Sequence, residues 1–355
     1  MTSNRETQFN LFITSPLESQ FVEQIRAVDP HQVTVIYEPT IYPPMQYVAD
    51  HHGPSGFARS SEQDAIMIER LSDADFFLDF PSGLPAGKTV VDLAPRLKWV
   101  QTTSAGVGQQ VVRMGLQNSE LIITTSSGVH ARPLAEFVFL ALLSHVKELR
   151  RLQHDQKEHV WQRFCSDELD GKTMAIVGPG KIGGQVAQIA RCFNMRVTVM
   201  GRRGGPERAN ELGVDAVYTR DQMHEMLGAA DAVVLSCPHT PETEGLIDRA
   251  AINAIKPGAM FVNIARGQVV DEAALLEALQ SGRIAFAGLD VFQKEPLPAD
   301  SPFWDMPNVM INPHSASTAF SENQKITDIL CHNLRCYLDG RTEDMRNVLD
   351  KGLMY

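Results

Sequence analysis

Met174-Ala175-Ile176-Val177-Gly178-Pro179-Gly180-Lys181-Ile182-Gly183 is the stretch on which the fold turns. Four apolar residues read as a buried strand, and a helical pattern begins at about Lys181. Between them the glycines stand at G-x-G-x-x-G spacing. Each glycine has a physical reason to be there. Gly178 permits a tight turn, Gly180 lets backbone approach a pyrophosphate, and Gly183 lets the helix pack on its strand. The helix start then offers N–H groups and the positive end of its dipole to phosphate. A lone glycine pattern is weak, but the strand before it and the helix after it supply the context that makes it a dinucleotide site.

Outward from that loop, β/α alternation runs from residue 172 to 313. Strands are expected at 174–177, 196–200, 216–218, 232–235, 260–264, 285–289 and 309–312, with helical patterns between most of them. That is a Rossmann doubly wound parallel sheet. Upstream, strands are expected at 9–13, 33–37, 74–78, 97–101 and 121–124, with a helical pattern through Val28. These form a second, smaller α/β domain. Residues 39–61 carry four prolines and read as an irregular insertion. One long helix is expected over 133–153, with Pro133 in its first turn, and another from beyond Ser315 to Leu338, followed by a tail that returns to the first domain. The expected division is 1–125 with 319–355, and 126–318 for the dinucleotide-binding domain.

The length of 355 residues suits two domains, and 43% hydrophobic residues can fill two cores. A net charge of −11 argues against a nucleic-acid partner, so an anionic substrate needs a local positive site. Five cysteines without CxxC spacing read as reduced thiols. The start of the chain lacks an apolar signal core and no run reaches membrane-spanning length, so the expected location is the cytoplasm, with no membrane partner.

The strand at 196–200 leads into Gly201-Arg202-Arg203. An acid is usual here to bond the adenosine ribose hydroxyls of NAD. Its replacement by glycine, with two arginines able to fork onto a 2′-phosphate, favours NADP(H), with NAD(H) left open. The arginines also read as solvated surface residues beside a turn. Three further segments follow expected strands: Asn263 to Gly267, Gly288 to Pro296, and Ile311 to His314. Ligands of open parallel sheets bind at such ends. Arg266 is a cation for a substrate carboxylate and its carbonyl oxygen, His314 a proton donor, and Glu295 a carboxylate to orient and charge that histidine. Singly, each has an ordinary structural reading; jointly, at the strand ends of one sheet, they suit hydride transfer at a carbonyl beside a carboxylate.

These motifs, with Cys237 to Ile247, Val270-Asp271-Glu272, Pro307-Asn308-Val309 and Pro313-His314, resemble the D-isomer-specific 2-hydroxyacid dehydrogenase family from roughly Trp99 onward. The resemblance implies that Arg266, Glu295 and His314 form the catalytic set. It implies a substrate loop at Ser104-Ala105-Gly106-Val107-Gly108, whose N–H groups cup a carboxylate; Ala105, Gly106, Val107 and Gly108 join Arg266 and His314 as substrate-binding residues. The cofactor set is Gly178, Gly180, Lys181, Ile182, Gly183, Arg202, Arg203, Cys237, Pro238, Thr243, Ile264, Ala265, Arg266, Asp290 and His314. It also implies a flavodoxin-like substrate domain built from both chain ends, closure over a cleft, and a homodimer, to which the long apolar helix also points. Gln109-Gln110 in place of an acid, the absent acid at 201, and Pro302-Phe303-Trp304 are similar to the glyoxylate/hydroxypyruvate reductase branch. The expected activity is NADPH-preferring reduction of a small 2-oxoacid to the D-2-hydroxyacid. Two alternatives stand beside it: a dinucleotide-sensing, corepressor-like binding protein, and a family member acting on another small anion such as formate or phosphite.

Asp50-His51-His52 lacks a third ligand at metal spacing, so no metal site is expected. His239 lies in the cofactor segment and also reads as a turn cap, and His130 sits where the chain crosses between domains.

Overall fold

The computed structural model describes residues 9–54 and 56–354; the polar N-terminal reading therefore lies mostly outside the described residues. The chain divides into two compact units, one made of the residues up to His130 together with those from Thr318, the other of Ala131–Ser317.

In the first unit the strands are β1 (Phe9–Ile13), β2 (Val33–Ile36), β3 (Phe76–Leu78), β4 (Trp99–Gln101) and β5 (Ile122–Thr124). They form one parallel sheet in the order β2-β1-β3-β4-β5, the flavodoxin-like arrangement. Side chains alternate across a strand, and here they separate into two cores. Leu11, Ile13, Phe76, Leu78 and Trp99 face one layer, shared with the helices Ser19–Arg26 and Glu322–Leu338. Phe12, Phe77, Val100 and Ile123 face the other, shared with the helix Ser61–Asp73. The tail returns to this unit: Leu349 donates its N–H to the Ile123 carbonyl at 2.8 Å and Thr125 donates to Asn347 O at 2.9 Å.

The second unit holds β6 (Thr173–Val177), β7 (Arg196–Met200), β8 (Ala216–Tyr218), β9 (Ala232–Leu235), β10 (Ala259–Asn263), β11 (Ile284–Leu289) and β12 (Val309–Ile311). Their order, β12-β11-β10-β9-β6-β7-β8, is all parallel and reverses beside β6. That reversal is the topological switch point where dinucleotides bind. Ala175 and Val177 pack in one core, Met174 and Ile176 in the other. Near-continuous apolar strands such as Ala232–Leu235 are wholly buried because helices cover both faces.

Three expectations are corrected. The helix expected at 133–153 is two helices, Ala131–Val146 and Leu149–Lys157, broken at Glu148, which takes a left-handed φ of 51°. No glycine or proline marks the break, because Lys147, Glu148 and Leu149 are all good helix formers. The last helix begins at Glu322, not just past Ser315. The N–H groups of Ser315 and Ala316 are taken by the Asp290 carboxylate, so they cannot enter a helical ladder there. The first crossing between units falls at 130/131, five residues beyond the expected point. Residues 126–130 still belong to the first unit: Ser126 donates to Ser104 O at 3.1 Å and Val129 enters its core.

The insertion at 39–61 is irregular apart from a short 3-10 turn, Pro39–Ile41, yet Ile41 and Tyr42 are buried and the Tyr42 hydroxyl donates to Ile13 O. Asp50 is also buried, and its carboxylate accepts the N–H groups of Gln46, His52 and Gly53. His51 pairs with Asn323 at 2.7 Å. These contacts give the Asp50-His51 pair a structural role.

Trp99 is completely buried in this unit, with Nε1 donating to Thr124 Oγ1 at 2.8 Å. Trp99→Ala is expected to destabilise it by about 3–5 kcal/mol, measured as a lower denaturant midpoint; a midpoint within error of wild type would contradict this packing.

Candidate active site

The glycine loop leaves β6 with Gly178 at φ +105°, a conformation that an L side chain rarely adopts. A Cβ there would also lie 2.8 Å from the Cys237 backbone. A Cβ on Gly183 would lie 2.1 Å from the Gly178 carbonyl, so helix and strand approach only because that atom is missing. At Gly180 the Cβ direction is open space. Gly180 is the N-cap of the helix Lys181–Cys192 and no side chain caps it. The first N–H groups of this helix thus face a space bordered by glycine, which fits the pyrophosphate of a dinucleotide. Ile182 is half-buried beside this loop, and burial lowers the proton affinity of Lys181.

At the end of β7 a Cβ on Gly201 would come within 3.2 Å of Pro179 Cγ, so this strand end packs on the glycine loop itself. Arg202 and Arg203 follow, both exposed; Arg202 reaches Glu242 at 3.4 Å. Arg220, beyond β8, donates to the Glu242 carbonyl at 2.8 Å. At the end of β9, Cys237 is buried and Pro238 accepts from the Thr243 hydroxyl at 2.7 Å. Thr243 also accepts the N–H of Thr240 at 2.8 Å, so its side chain shapes the segment. His239 pairs with Glu244. Burial pushes the Cys237 thiol up to about 11, so it is a neutral wall at neutral pH.

The ends of β10, β11 and β12 carry Arg266, Glu295 and His314. Buried Asn263 shapes the first turn: its Oδ1 accepts the N–H of Ala265 at 3.0 Å and its Nδ2 donates to Arg266 O at 3.2 Å. Arg266 donates to the Ala265 carbonyl at 2.7 Å and forms no ion pair among the described residues. Burial lowers its proton affinity, and the negative charges of Glu295 and Asp290 oppose that. Ile264 and Ala265 are buried beside it. His314, at φ 52°, presents Nδ1 to Glu295 Oε2 at 2.7 Å. That bond fixes the Nδ1–H tautomer and leaves Nε2 for proton transfer. Glu295 Oε1 accepts the N–H of Phe292 at 2.9 Å.

Asp290 anchors the His314 loop. Its carboxylate accepts from Asn312 Nδ2 at 2.7 Å and from the N–H groups of Ser315 and Ala316, each at 3.0 Å, while its carbonyl accepts the His314 N–H at 2.9 Å. Sequence reasoning placed Asp290 at the cofactor and missed this. It also missed Gln268, which donates to Gln293 O at 3.1 Å, and Gln293, whose amide returns to Val270 O at 2.7 Å. Their partners are backbone atoms more than twenty residues away, which no local pattern encodes.

Ala105, Gly106, Val107 and Gly108 belong to the other unit, at the end of β4. Their loop is tied by the Ser104 carbonyl, which accepts from Thr102 Oγ1 at 2.7 Å. A Cβ on Gly108 would lie 2.3 Å from Met354 O, so the returning tail closes on this loop. Thr103 donates to Asp79 at 2.7 Å, joining the β3 and β4 ends. His130 is engaged with Glu322 at 3.1 Å. Trp304 is half exposed, and its indole donates to Pro298 O at 2.9 Å. No helix among the described residues is long and apolar enough to cross a membrane.

Residues 139–316 match the family described as D-isomer specific 2-hydroxyacid dehydrogenase, NAD binding domain. Over 311 residues the chain is 33% identical to D-3-phosphoglycerate dehydrogenase of Mycobacterium bovis, covering 84% of this chain and 57% of that protein. The chain thus spans just over half the length of that relative. It is 31% identical over 281 residues to glyoxylate reductase of Korarchaeum cryptofilum, covering 78% of this chain and 83% of that one. A crystal structure of a D-isomer specific 2-hydroxyacid dehydrogenase from Xanthobacter autotrophicus, in complex with NADPH and MES, superposes with a TM-score of 0.74 at 26% identity, covering 98% of this chain and all of that one. A glycine loop at the switch point and charged residues at the ends of the neighbouring strands define a dinucleotide-binding Rossmann protein. This chain belongs to the D-isomer specific 2-hydroxyacid dehydrogenase family.

The Cys237 geometry is open to a direct check. At neutral pH iodoacetamide is expected to label exposed Cys165 and Cys192 and to spare Cys237. Peptide mapping that finds Cys237 labelled as fast as the exposed thiols would contradict its burial.

Proposed function

We propose that the protein reduces a small 2-oxoacid, of the glyoxylate or hydroxypyruvate kind, to the D-2-hydroxyacid, with NADP(H) preferred over NAD(H). The observation that carries this reading is the 2.7 Å contact between His314 Nδ1 and Glu295 in the same unit as a half-buried Arg266 that has no carboxylate partner among the described residues. A bound reduced nicotinamide supplies a hydride to the carbonyl carbon. Arg266 holds the substrate's carboxylate and carbonyl oxygen with its planar fork. As the carbonyl oxygen gains charge, the guanidinium stabilises it, and His314 delivers the proton that completes the hydroxyl group. Glu295 keeps the imidazole oriented through its contact with Nδ1. The loop Ala105–Gly108, in the other unit, is assigned to substrate binding on the family resemblance alone. In this reading the unit with residues 131–317 is the dinucleotide-binding domain and the other is the substrate domain.

Preference for NADP(H) is supported by Gly201 in place of an acid and by exposed Arg202 and Arg203 beside the glycine loop. The NADPH in the Xanthobacter relative agrees with it. Five free cysteines suit a cytoplasmic location. We also infer a homodimer. Trp161 is 99% exposed, and Leu140 and Leu152 are exposed on the helices Ala131–Val146 and Leu149–Lys157 of the same unit, apolar side chains that a partner copy would cover.

Initial rates with NADPH and NADH against glyoxylate, hydroxypyruvate, pyruvate and a bulky aromatic 2-oxoacid test the activity, with 3-phosphoglycerate oxidation as the contrasting arm. His314→Ala should lower kcat by about 10²–10⁴-fold and leave dinucleotide affinity unchanged; undiminished turnover would refute the assignment. Arg202→Ala with Arg203→Ala should raise KM for NADPH about tenfold and that for NADH less than about twofold; equal effects would remove the basis for the preference. In sedimentation the protein should run as a dimer and W161A combined with L140E as a monomer; a monomeric wild type would refute the dimer.

A further inference from the structure

Val270-Asp271-Glu272 stands at the start of the helix Glu272–Gln280, where carboxylates usually serve the helix end. Asp271 already does so, accepting the Ala274 N–H at 2.9 Å. Glu272 points elsewhere. Its Oε1 accepts the backbone N–H of Gln293, 21 residues along the chain. The preceding N–H, that of Phe292, is accepted by Glu295. Two carboxylates therefore hold two successive amides of one loop, and the second of them also holds His314. Gln268 and Gln293 clasp the same loop from the side of Arg266. The two carboxylates are close enough for Glu295 to add to the effect of burial in raising the proton affinity of Glu272. Gln293 itself is exposed, so water would satisfy its N–H if Glu272 were absent. The contact is thus not needed to rescue a buried donor; its consequence is where the loop sits.

We propose that Glu272 is a positioning residue for the proton-transfer pair. By accepting the Gln293 amide it fixes the loop two residues before Glu295, so that Glu295 meets His314 Nδ1 in one geometry. The inference rests on Glu295 and His314 being the working pair of the proposed reduction. Without the Gln293 anchor, Glu295 samples other positions and its contact with His314 Nδ1 is no longer held in one geometry.

The test is the pH profile of the purified full chain reducing glyoxylate or hydroxypyruvate with NADPH. Glu272→Met keeps the length of the side chain and removes the acceptor; Glu272→Gln keeps an acceptor without the charge. E272M should lower kcat about tenfold and move the alkaline limb of the profile to lower pH, with NADPH affinity within about twofold of wild type. E272Q should restore most of kcat and return the limb towards its wild-type position. An E272M profile whose limb does not move overturns the proposal, as does an E272Q enzyme as impaired as E272M. Should E272M fail to fold, E272Q decides alone: a limb at the wild-type position supports the acceptor role, and a displaced limb overturns it. His314→Ala, run alongside, separates the two levels. If H314A is fully active, the reading of the pair has failed; if H314A is inactive while E272M is indistinguishable from wild type, only the role of Glu272 has failed.

Discussion

The closest approach in the second unit is made by an atom that glycine lacks. A Cβ on Gly267 would lie 2.0 Å from the Phe292 carbonyl carbon and 2.3 Å from Gln293 N. No side chain fits there without moving backbone, so the turn after β10 and the loop after β11 rest directly on each other. Arg266 is the residue before that contact and Glu295 follows it by three positions on the other side. The glutamine clasp of Gln268 and Gln293 closes over the same junction. Two side chains that share no hydrogen bond are thereby held on one rigid piece of backbone. His314 joins them from β12 through Glu295 and through the Asp290 carbonyl.

Charge is managed differently at Asp290 and at Arg266. Asp290 is 2% exposed, yet its carboxylate accepts three hydrogen bonds, two of them from backbone. All three fall on Oδ1, so that oxygen is committed to the His314 loop while Oδ2 keeps its acceptor capacity. Arg266 is the opposite case. It is half-buried, donates among the described residues only to the neighbouring carbonyl, and feels the fields of Glu295 and Asp290 without touching either. A guanidinium left with unused donors inside a protein stands ready for an anion. In a chain with net charge −11, it is a local positive site.

Much of this was legible in the residue pattern. Parallel strands buried on both faces are near-continuous apolar runs, so all twelve appear as short hydrophobic segments at about their observed places, and the glycine loop marks the switch point among them. The failures share a cause. Glu148 breaks a helix in a conformation that its own sequence does not favour, and tertiary contacts such as Lys147 Nζ to Asp167 O decide it. Residues 315–321 looked helical because the competing acceptor, Asp290, is twenty-five positions upstream. Glu272, Gln268 and Gln293 act on backbone atoms that are remote in the chain and carry no side-chain signature. Charged residues at strand ends were readable; what holds them at a given distance was not.

The end of β7 packs directly on the glycine loop. Gly201 follows the strand directly and lies against Pro179, which belongs to the glycine loop. An acid placed at 201 would bring its Cβ within 3.2 Å of the Pro179 ring, so the ring or the strand end would have to give by a few tenths of an ångström. The contacted atom is the Cγ of a ring that stands between Gly178 and Gly180, so the adjustment falls on the ring pucker or on the strand end. The same proline that stiffens the phosphate loop therefore disfavours the carboxylate that would bond the ribose hydroxyls of NAD. Arg202 and Arg203 begin one residue later, beyond that contact, where long side chains have space. On this geometry an acid at 201 would press on the glycine loop unless the Pro179 ring or the strand end moved by a few tenths of an ångström.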